Sequence, residues 1–222
     1  IFLSSIKVNG EVTHDRPFSA NDVPLATDPY GLSKWHAECA LRAIAATADM
    51  KLLILRVPLI IGPGVKGNVA RLQRWIDKGY PLPFKSIQNR RHLLTLETLS
   101  TVISLAISQV ARGCFTLAEP KPVSTPDLIR YLAAGQGKTA KLIPLPPKLL
   151  QVIFTLLGKS AYYDRLAQDL RVESKSLFDY LSWSPQDIVP RACKDSAQND
   201  QNSSISTHFL NKKAQSSVEE EV

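Results

Sequence analysis

Asp28-Pro29-Tyr30-Gly31-Leu32-Ser33-Lys34 sets a tyrosine and a lysine four residues apart, directly after a proline. A helix beginning near Tyr30 stacks the two side chains on one face, because positions i and i+4 are helical neighbours. An ammonium then stands beside a phenol. At about 4 Å and an effective dielectric of ~20, a unit charge is worth roughly 4 kcal/mol, enough to draw a phenol's usual pKa of about 10 towards neutrality. A phenol poised there both gives and takes a proton. A bare Tyr-x-x-x-Lys pair also occurs on ordinary surface helices, so the flanking sequence has to decide.

Upstream, Ile1-Phe2-Leu3-Ser4-Ser5-Ile6 is an apolar run without alternation, as expected of a strand buried on both faces of a parallel sheet. Ligands in such sheets sit beyond the carboxyl ends of the strands, which is where Ser4 and Ser5 fall. The stretch from Asn9-Gly10 to Thr27 reads as a loop, and the helix of Tyr30 continues through Trp35, Glu38, Leu41 and Ile44. Lys51 to Val57 is a second buried strand, broken by Pro58 and closed by Gly62-Pro63-Gly64. Strand, helix and strand in this order imply a right-handed parallel crossover.

Downstream, Asn68 to Lys78 has helical spacing and Pro81 to Phe84 is extended. A short strand is expected at Leu93 to Leu96, an amphipathic helix from Glu97 to Ala111 and a strand at Cys114 to Leu117. Ser124-Thr125 caps a helix to Ala134, with Asp127 in its first turn. Ile143 to Pro147 is a rigid connector into Leu149 to Leu157, the most apolar run. That run is far short of the roughly 20 residues that span a bilayer and is expected as a packed helix. Val172 to Leu181 is the last expected helix. From about Arg191 the composition turns to Ser, Asn, Gln, Lys and Glu, so residues 191–222 read as a disordered polar tail.

A chain of 222 residues, 44% hydrophobic and 21% charged, can bury one good core. The net charge of +7 suggests anionic partners, yet the basic residues are scattered, which argues against a nucleic-acid surface. Cys39, Cys114 and Cys193 are odd in number and lack metal-ligand spacing, as expected of reduced thiols in a cytoplasm; no zinc site or disulfide framework is implied. The chain opens Ile1-Phe2-Leu3 with no initiator Met, as expected of a chain cut ahead of its first strand, and a leader upstream is left open.

In their order, these signals resemble the extended short-chain dehydrogenase/reductase family, in particular its nucleotide-sugar epimerases and reductases. The resemblance is carried by Phe2-Leu3-Ser4-Ser5, Val8-Asn9-Gly10, Pro29-Tyr30-Gly31-Leu32-Ser33-Lys34 with Glu38, Leu55-Arg56 to Ile61-Gly62-Pro63-Gly64, and Asn68. It continues to Asn89-Arg90-Arg91 and Leu181-Ser182-Trp183-Ser184-Pro185 and covers about residues 1 to 188.

The resemblance implies an α/β fold: the C-terminal part of a Rossmann-type doubly wound parallel sheet with a small mixed α/β substrate-binding subdomain. Residues 1–64 would belong to the cofactor domain. Residues 65–190 would be mainly the substrate subdomain, with elements returning to the Rossmann sheet at about 89–118. It further implies NAD or NADP as cofactor and a UDP-sugar as substrate. Ser5 would hydrogen-bond the reacting hydroxyl or ketone, Tyr30 would be the acid/base, and Lys34 would hold the nicotinamide ribose while lowering the Tyr30 pKa. On the cofactor side it sets Ser4, Pro58 and Leu59. On the substrate side, Asn68 would meet the diphosphate, Phe84 would lie along the uridine, and Arg91 with Arg165 would pair with phosphate, for which an arginine fork is suited. The helices near 30–48 and 97–111 offer homodimer faces.

Four departures from the family pattern shape the reading. Leu59 stands where the epimerases carry an Asn, and His92, Thr95 and Thr98 replace the usual polar set beyond Arg91. The Gly-rich phosphate turn has no counterpart, since Gly62-Pro63-Gly64 and Gly135-Gln136-Gly137 do not follow a strand-turn-helix pattern. At roughly 30 residues per strand-helix-strand unit, about 100 residues of cofactor domain are expected ahead of Ile1, without which NAD would not be held normally. Finally, dehydratases of the family need an acidic pair after the catalytic Ser or Thr, and this chain has Ile6 and Lys7. Fucose-synthase-like epimerase-reductases place a Cys there.

What survives is hydride transfer at C4 of a UDP-sugar with Tyr30 as acid/base, by a 4-epimerase or a 4-keto-sugar reductase. Pro58-Leu59 with Pro81-Leu82-Pro83-Phe84 resembles the reductases of bacterial polysaccharide pathways as well as the epimerases. Alternatives are a steroid- or flavonoid-type reductase of the same superfamily, or an inactive truncated or binding relative.

Overall fold

Leu53–Val57 forms β2, buried at every position because both its faces are covered and both its edges are paired. It is the centre of a three-stranded parallel sheet, flanked by β1 (Phe2–Ser5) and β5 (Gly113–Thr116). Phe2 stands beside Ile54 and Ser5 beside Val57, while Leu53 stands beside Gly113 and Arg56 beside Thr116. In this register the carboxyl ends of β1 and β2 coincide at Ser5 and Val57, and the chain leaves both strands towards the same side. The computed structural model describes residues 1–65 and 67–197.

After Ser5 the chain makes a 3-10 turn over Ile6–Val8 and a long loop into α1 (Pro29–Thr47). Two local features start α1 where it does. Pro29 occupies the first helical turn, where its missing N–H is not needed, and Asp28 accepts the Gly31 amide at 3.0 Å. One face of α1 meets the sheet through a buried polar network. Glu38 and Arg56 are 0% and 2% exposed. Arg56 Nη2 donates to Glu38 Oε2 at 2.7 Å and its Nε to Oε1 at 2.9 Å, while the Ser4 hydroxyl donates to Glu38 Oε1 at 2.5 Å. Arg56 Nη1 adds a bond to Asn9 Oδ1 at 3.2 Å, so every charged atom of the pair has a partner.

On the other face of the sheet, α3 (Leu96–Ser108) sets Leu99, Val102 and Ala106 against Leu53, Leu55 and Val57. A second core is built from α2 (Asn68–Asp77) and α4 (Thr125–Gly135), where Leu72, Ile76, Ile129 and Leu132 meet Leu82 and Phe84. A two-stranded parallel pair, β3 (Ile60–Ile61) and β4 (Leu94–Thr95), lies where the chain passes between the cores. The expected strand at 93–96 is shorter because Thr95 already caps α3, its hydroxyl accepting from the Thr98 amide. Helices α5 (Pro147–Leu156), α6 (Ser160–Ala167) and α7 (Lys175–Tyr180) complete the main elements. The last expected helix starts late because Val172 is bridged to Phe18 and donates its amide to His92 Nδ1.

Two expectations are corrected. Residues 189–197 are helical, here α8, so the ordered chain continues past Arg191; residues 198–222 of the expected tail lie outside the described residues. Val189, Cys193 and Ala197 are buried at successive helical turns. Gly135 permits the contact: a Cβ there would stand 2.5 Å from the Lys194 carbonyl oxygen and 2.9 Å from the Ala197 Cβ. Helix α5, expected to be packed, buries Leu150 alone and leaves Leu149, Val152, Ile153 and Leu156 in solvent. No described helix is long and apolar enough to cross a membrane.

Candidate active site

A cavity of about 460 Å³ opens beyond the carboxyl ends of β1 and β2. Its walls come from separate parts of the chain: Ser5 from the end of β1, Tyr30 from the first turn of α1, Pro58 and Leu59 after β2, Asn68 from the start of α2, and Arg91 and Arg165 from the second core. The crossover connection explains the placement, since it returns both strand ends and the α1 N-terminus to one side of the sheet.

Ser5 is buried and caps the 3-10 turn, its oxygen accepting the Lys7 amide at 3.3 Å, which leaves the hydroxyl proton to be donated. Tyr30 is 53% exposed and lines the same cavity. Lys34 lies behind the wall. Its ammonium donates to the Leu3 carbonyl at 3.0 Å and stands 5.8 Å from the centre of the Tyr30 ring and 5.0 Å from that of Phe2. The expected i, i+4 pairing is therefore present as a cation beside a ring, anchored to the backbone of β1.

Ser4 touches the cavity, but its hydroxyl is committed to Glu38. Burial works to raise the Glu38 pKa; the hydrogen bonds from Arg56 and Ser4 outweigh it and hold the carboxyl below its usual range. Phe84 is 2% exposed within the second core and is not among the residues lining this cavity.

The charged wall is the part sequence reasoning saw least of. Lys7 Nζ bridges Glu11 at 2.5 Å and Asp28 at 2.7 Å, and Glu11 also accepts from Arg165 at 3.0 Å. Lys7, Glu11 and Arg165 all line the cavity. Burial would raise the Glu11 pKa, but bonds from Lys7 and Arg165 keep it below the ordinary glutamate value, so this carboxylate is ionised and doubly paired. The available signal was the Lys7-x-x-x-Glu11 spacing directly after Ser5.

Arg91 donates to the Gln168 carbonyl at 2.8 Å. Burial pushes its pKa down to about 10, partly offset by Glu11 and Asp169 and reinforced by Arg165, which marks a cation short of counter-charge. Arg165 Nε is buried without a partner among the described residues. The first turn of α2 adds to this side, because its N-cap, Gly67 (φ 72°), offers no side-chain bond to the free amides. Two guanidinium groups, one of them paired with Glu11, and an uncapped helix start thus give this wall a capacity for an anion, in contrast to the apolar Pro58 and Leu59 that also line the cavity. His92 also lines the wall; burial lowers its pKa, and its Nδ1 is taken by the Val172 amide, so it is a neutral structural group.

Comparison with known proteins supports this reading of the fold. Residues 1–114 match the model of the NAD dependent epimerase/dehydratase family. The chain is 39% identical over 202 residues to a UDP-glucose 4-epimerase of Vibrio cholerae, an alignment covering 89% of this chain and 62% of that protein. It therefore spans about three fifths of the length of that curated relative. Among solved structures it is similar to a UDP-glucuronic acid 4-epimerase from Bacillus cereus in complex with NAD, with a TM-score of 0.70 at 16% identity over 90% of this chain and 60% of that one. It is also similar to RMD from Pseudomonas aeruginosa complexed with NADPH, with a TM-score of 0.69 at 19% identity over 89% and 64%.

Proposed function

We infer that this chain, which belongs to the NAD dependent epimerase/dehydratase family, carries the acid/base centre and diphosphate wall of a UDP-sugar 4-epimerase. In this reading residues 1–64 with β5 and α3 form the cofactor side, and most of 65–190 forms the substrate side.

The observation that carries the proposal is the meeting of Ser5 and Tyr30 on one cavity with no free carboxylic acid beside them among the described residues. Oxidation of a carbinol needs its hydroxyl proton removed as hydride leaves, and the reverse reaction needs a proton donor at the ketone. Tyr30 serves as that base and that acid. Ser5 donates its unshared proton to the same sugar oxygen and fixes its direction. Elimination would need a further carboxylic acid; Ile6 offers none, and Glu11 is ionised and held by two cations.

Arg91 and Arg165 orient the diphosphate, aided by Asn68 at the start of α2, and draw the sugar towards Tyr30. A nicotinamide cofactor, when bound, supplies and accepts the hydride. The residues present fit its nicotinamide end, since the apolar Pro58–Leu59 wall flanks a half-exposed Tyr30 backed by the Lys34 cation. Exposed Leu32 and Ile44 on α1, and Leu96 and Ile107 on α3 across the sheet, each offer a face for a homodimer.

A 4-keto-sugar reductase is the second reading, favoured by the apolar Leu59 on the wall where the epimerases carry an amide. Incubating the full-length protein, purified with its bound NAD, with UDP-glucose, UDP-galactose and their N-acetyl counterparts, followed by NMR, separates the two. Interconversion without added cofactor is the expected result. Consumption of NADH or NADPH on a 4-keto sugar, with no interconversion, selects the reductase, and neither reaction selects a binding relative.

A further inference from the structure

Helix α5 is apolar on a face that nothing among the described residues covers. Leu150 and Phe154, four residues apart, face inwards, with the Phe154 ring 6.2 Å from that of Tyr163 on α6. Leu149, Val152, Ile153 and Leu156 follow the i, i+3, i+4, i+7 pattern of a second stripe, and all four are exposed, Leu156 to 81%. Leu157 extends the stripe as the helix ends at Gly158 (φ 64°). An exposed helical stripe of this kind is not required by the fold and marks an interaction surface.

The charges around it identify the partner. From Leu128 to Tyr163 the chain has no Asp or Glu, while lysines stand at 138, 141, 148 and 159. Lys138 is paired with Asp77 at 2.6 Å, but no carboxylate pairs with Lys141, Lys148 or Lys159 among the described residues. Lys148 and Lys159 flank the two ends of the stripe, and all three unpaired lysines are exposed. An apolar ridge between free ammonium groups suits the boundary between acyl chains and phosphate headgroups, where leucines enter the hydrocarbon and lysines reach up to the phosphates. A ridge also seats on a deformable surface without needing a matching groove.

We propose that α5 docks this protein peripherally on an anionic lipid bilayer, with Leu149, Val152, Ile153 and Leu156 inserted and Lys141, Lys148 and Lys159 on the headgroups. This goes beyond the catalytic reading and holds whichever sugar is turned over. The helix lies in the interface and does not span it.

Co-sedimentation with vesicles tests the proposal. The protein should bind vesicles containing phosphatidylglycerol, bind pure phosphatidylcholine poorly, and dissociate as salt is raised. Val152→Glu/Leu156→Glu and Lys148→Glu/Lys159→Glu should each weaken binding at least about tenfold, the scale set by two lysines near an anionic leaflet. Lys51→Glu/Arg112→Glu, which makes the same charge change just before β2 and β5, should leave binding intact. All the substituted side chains are exposed, so circular dichroism and melting should be unchanged, and the lysine pair serves if the apolar pair misfolds. Absence of binding to anionic vesicles, or equal weakening by Lys51→Glu/Arg112→Glu, overturns the proposal. So does a concentration-dependent dimer that Val152→Glu/Leu156→Glu dissolves, since a second copy would then cover the stripe.

Discussion

The carboxylate of Asp28 holds the ammonium of Lys7 at 2.7 Å with one oxygen and the first-turn amide of Gly31 with the other. Through this one side chain the turn after Ser5 is fastened to the first turn of α1, which carries Tyr30. The distance between the two proposed catalytic hydroxyls is thereby set by a residue that carries neither.

Asp28→Ala should remove both the helix cap and the ion pair. The cap alone is worth about 1 kcal/mol, and the exposed part of the ion pair adds little. Loss of Tyr30 alignment should lower kcat by roughly 10-fold or more. Asp28→Asn, which still caps, should recover most of the melting temperature and less of the turnover. Equal recovery of both would mean that the ion pair does not position Tyr30.

Tyr30→Phe should cut turnover by about 10²–10⁴-fold, the usual size of a lost general acid/base. The ring is half exposed, so melting should hardly move. Turnover left intact in this variant would remove Tyr30 from the mechanism.

Breaking the Arg56–Glu38 pair from either side should be costly, because a buried charge is left without its partner. Arg56→Met or Glu38→Gln is expected to cost about 3–5 kcal/mol. The double variant should cost clearly less than the sum, with a coupling of roughly 1–3 kcal/mol. Chemical denaturation of the three variants gives the cycle, and simple additivity would contradict the network.

Stability should fall in two steps as pH is lowered. Burial depresses the His92 pKa in the folded state, so between that value and the unfolded value of about 6.5 the unfolded chain binds the extra proton and gains. The first loss therefore begins below about pH 6.5 and should vanish in His92→Gln. Glu11, Asp28 and Glu38 also have depressed pKa values; for each, burial pulls upwards and the bonds to their cations prevail. Their contribution is complete above the unfolded values of about 4 and is lost below them. Melting temperature against pH, for wild type and His92→Gln, checks both steps.

Much of the architecture was legible because its signals are local. Pro29 at the start of α1, the unbroken apolar runs of β1 and β2, and Ser124 at the start of α4 each state their element within a few residues. Of the candidate site, Ser5, Tyr30, Asn68, Arg91 and Arg165 lie on one cavity, as an ordered set of motifs anticipates. What stayed hidden depends on the direction a side chain faces. Phe84 is apolar whether it lines a cavity or a core, and Leu149 to Leu157 is equally apolar in solvent. Helix α8 was missed because Arg191 to Ala197 holds no large apolar residue; its burial rests on the small side chains Cys193 and Ala197 and on the close approach of Lys194 and Ala197 to Gly135.

The bond between Glu11 and Arg165 joins residues separated by 154 positions in sequence. The cavity wall cannot be complete until almost the whole described chain has been threaded into place, and contacts of such long range form late because their loop entropy must first be overcome. In refolding, helical signal should therefore return well before the proposed UDP-sugar binding, followed in stopped flow by circular dichroism and by ligand quenching of tryptophan. Coincident phases would mean that the wall assembles together with the sheet. The Glu11–Arg165 wall is thus expected to be a late product of folding, and a partly folded chain would have its helices before it had this wall.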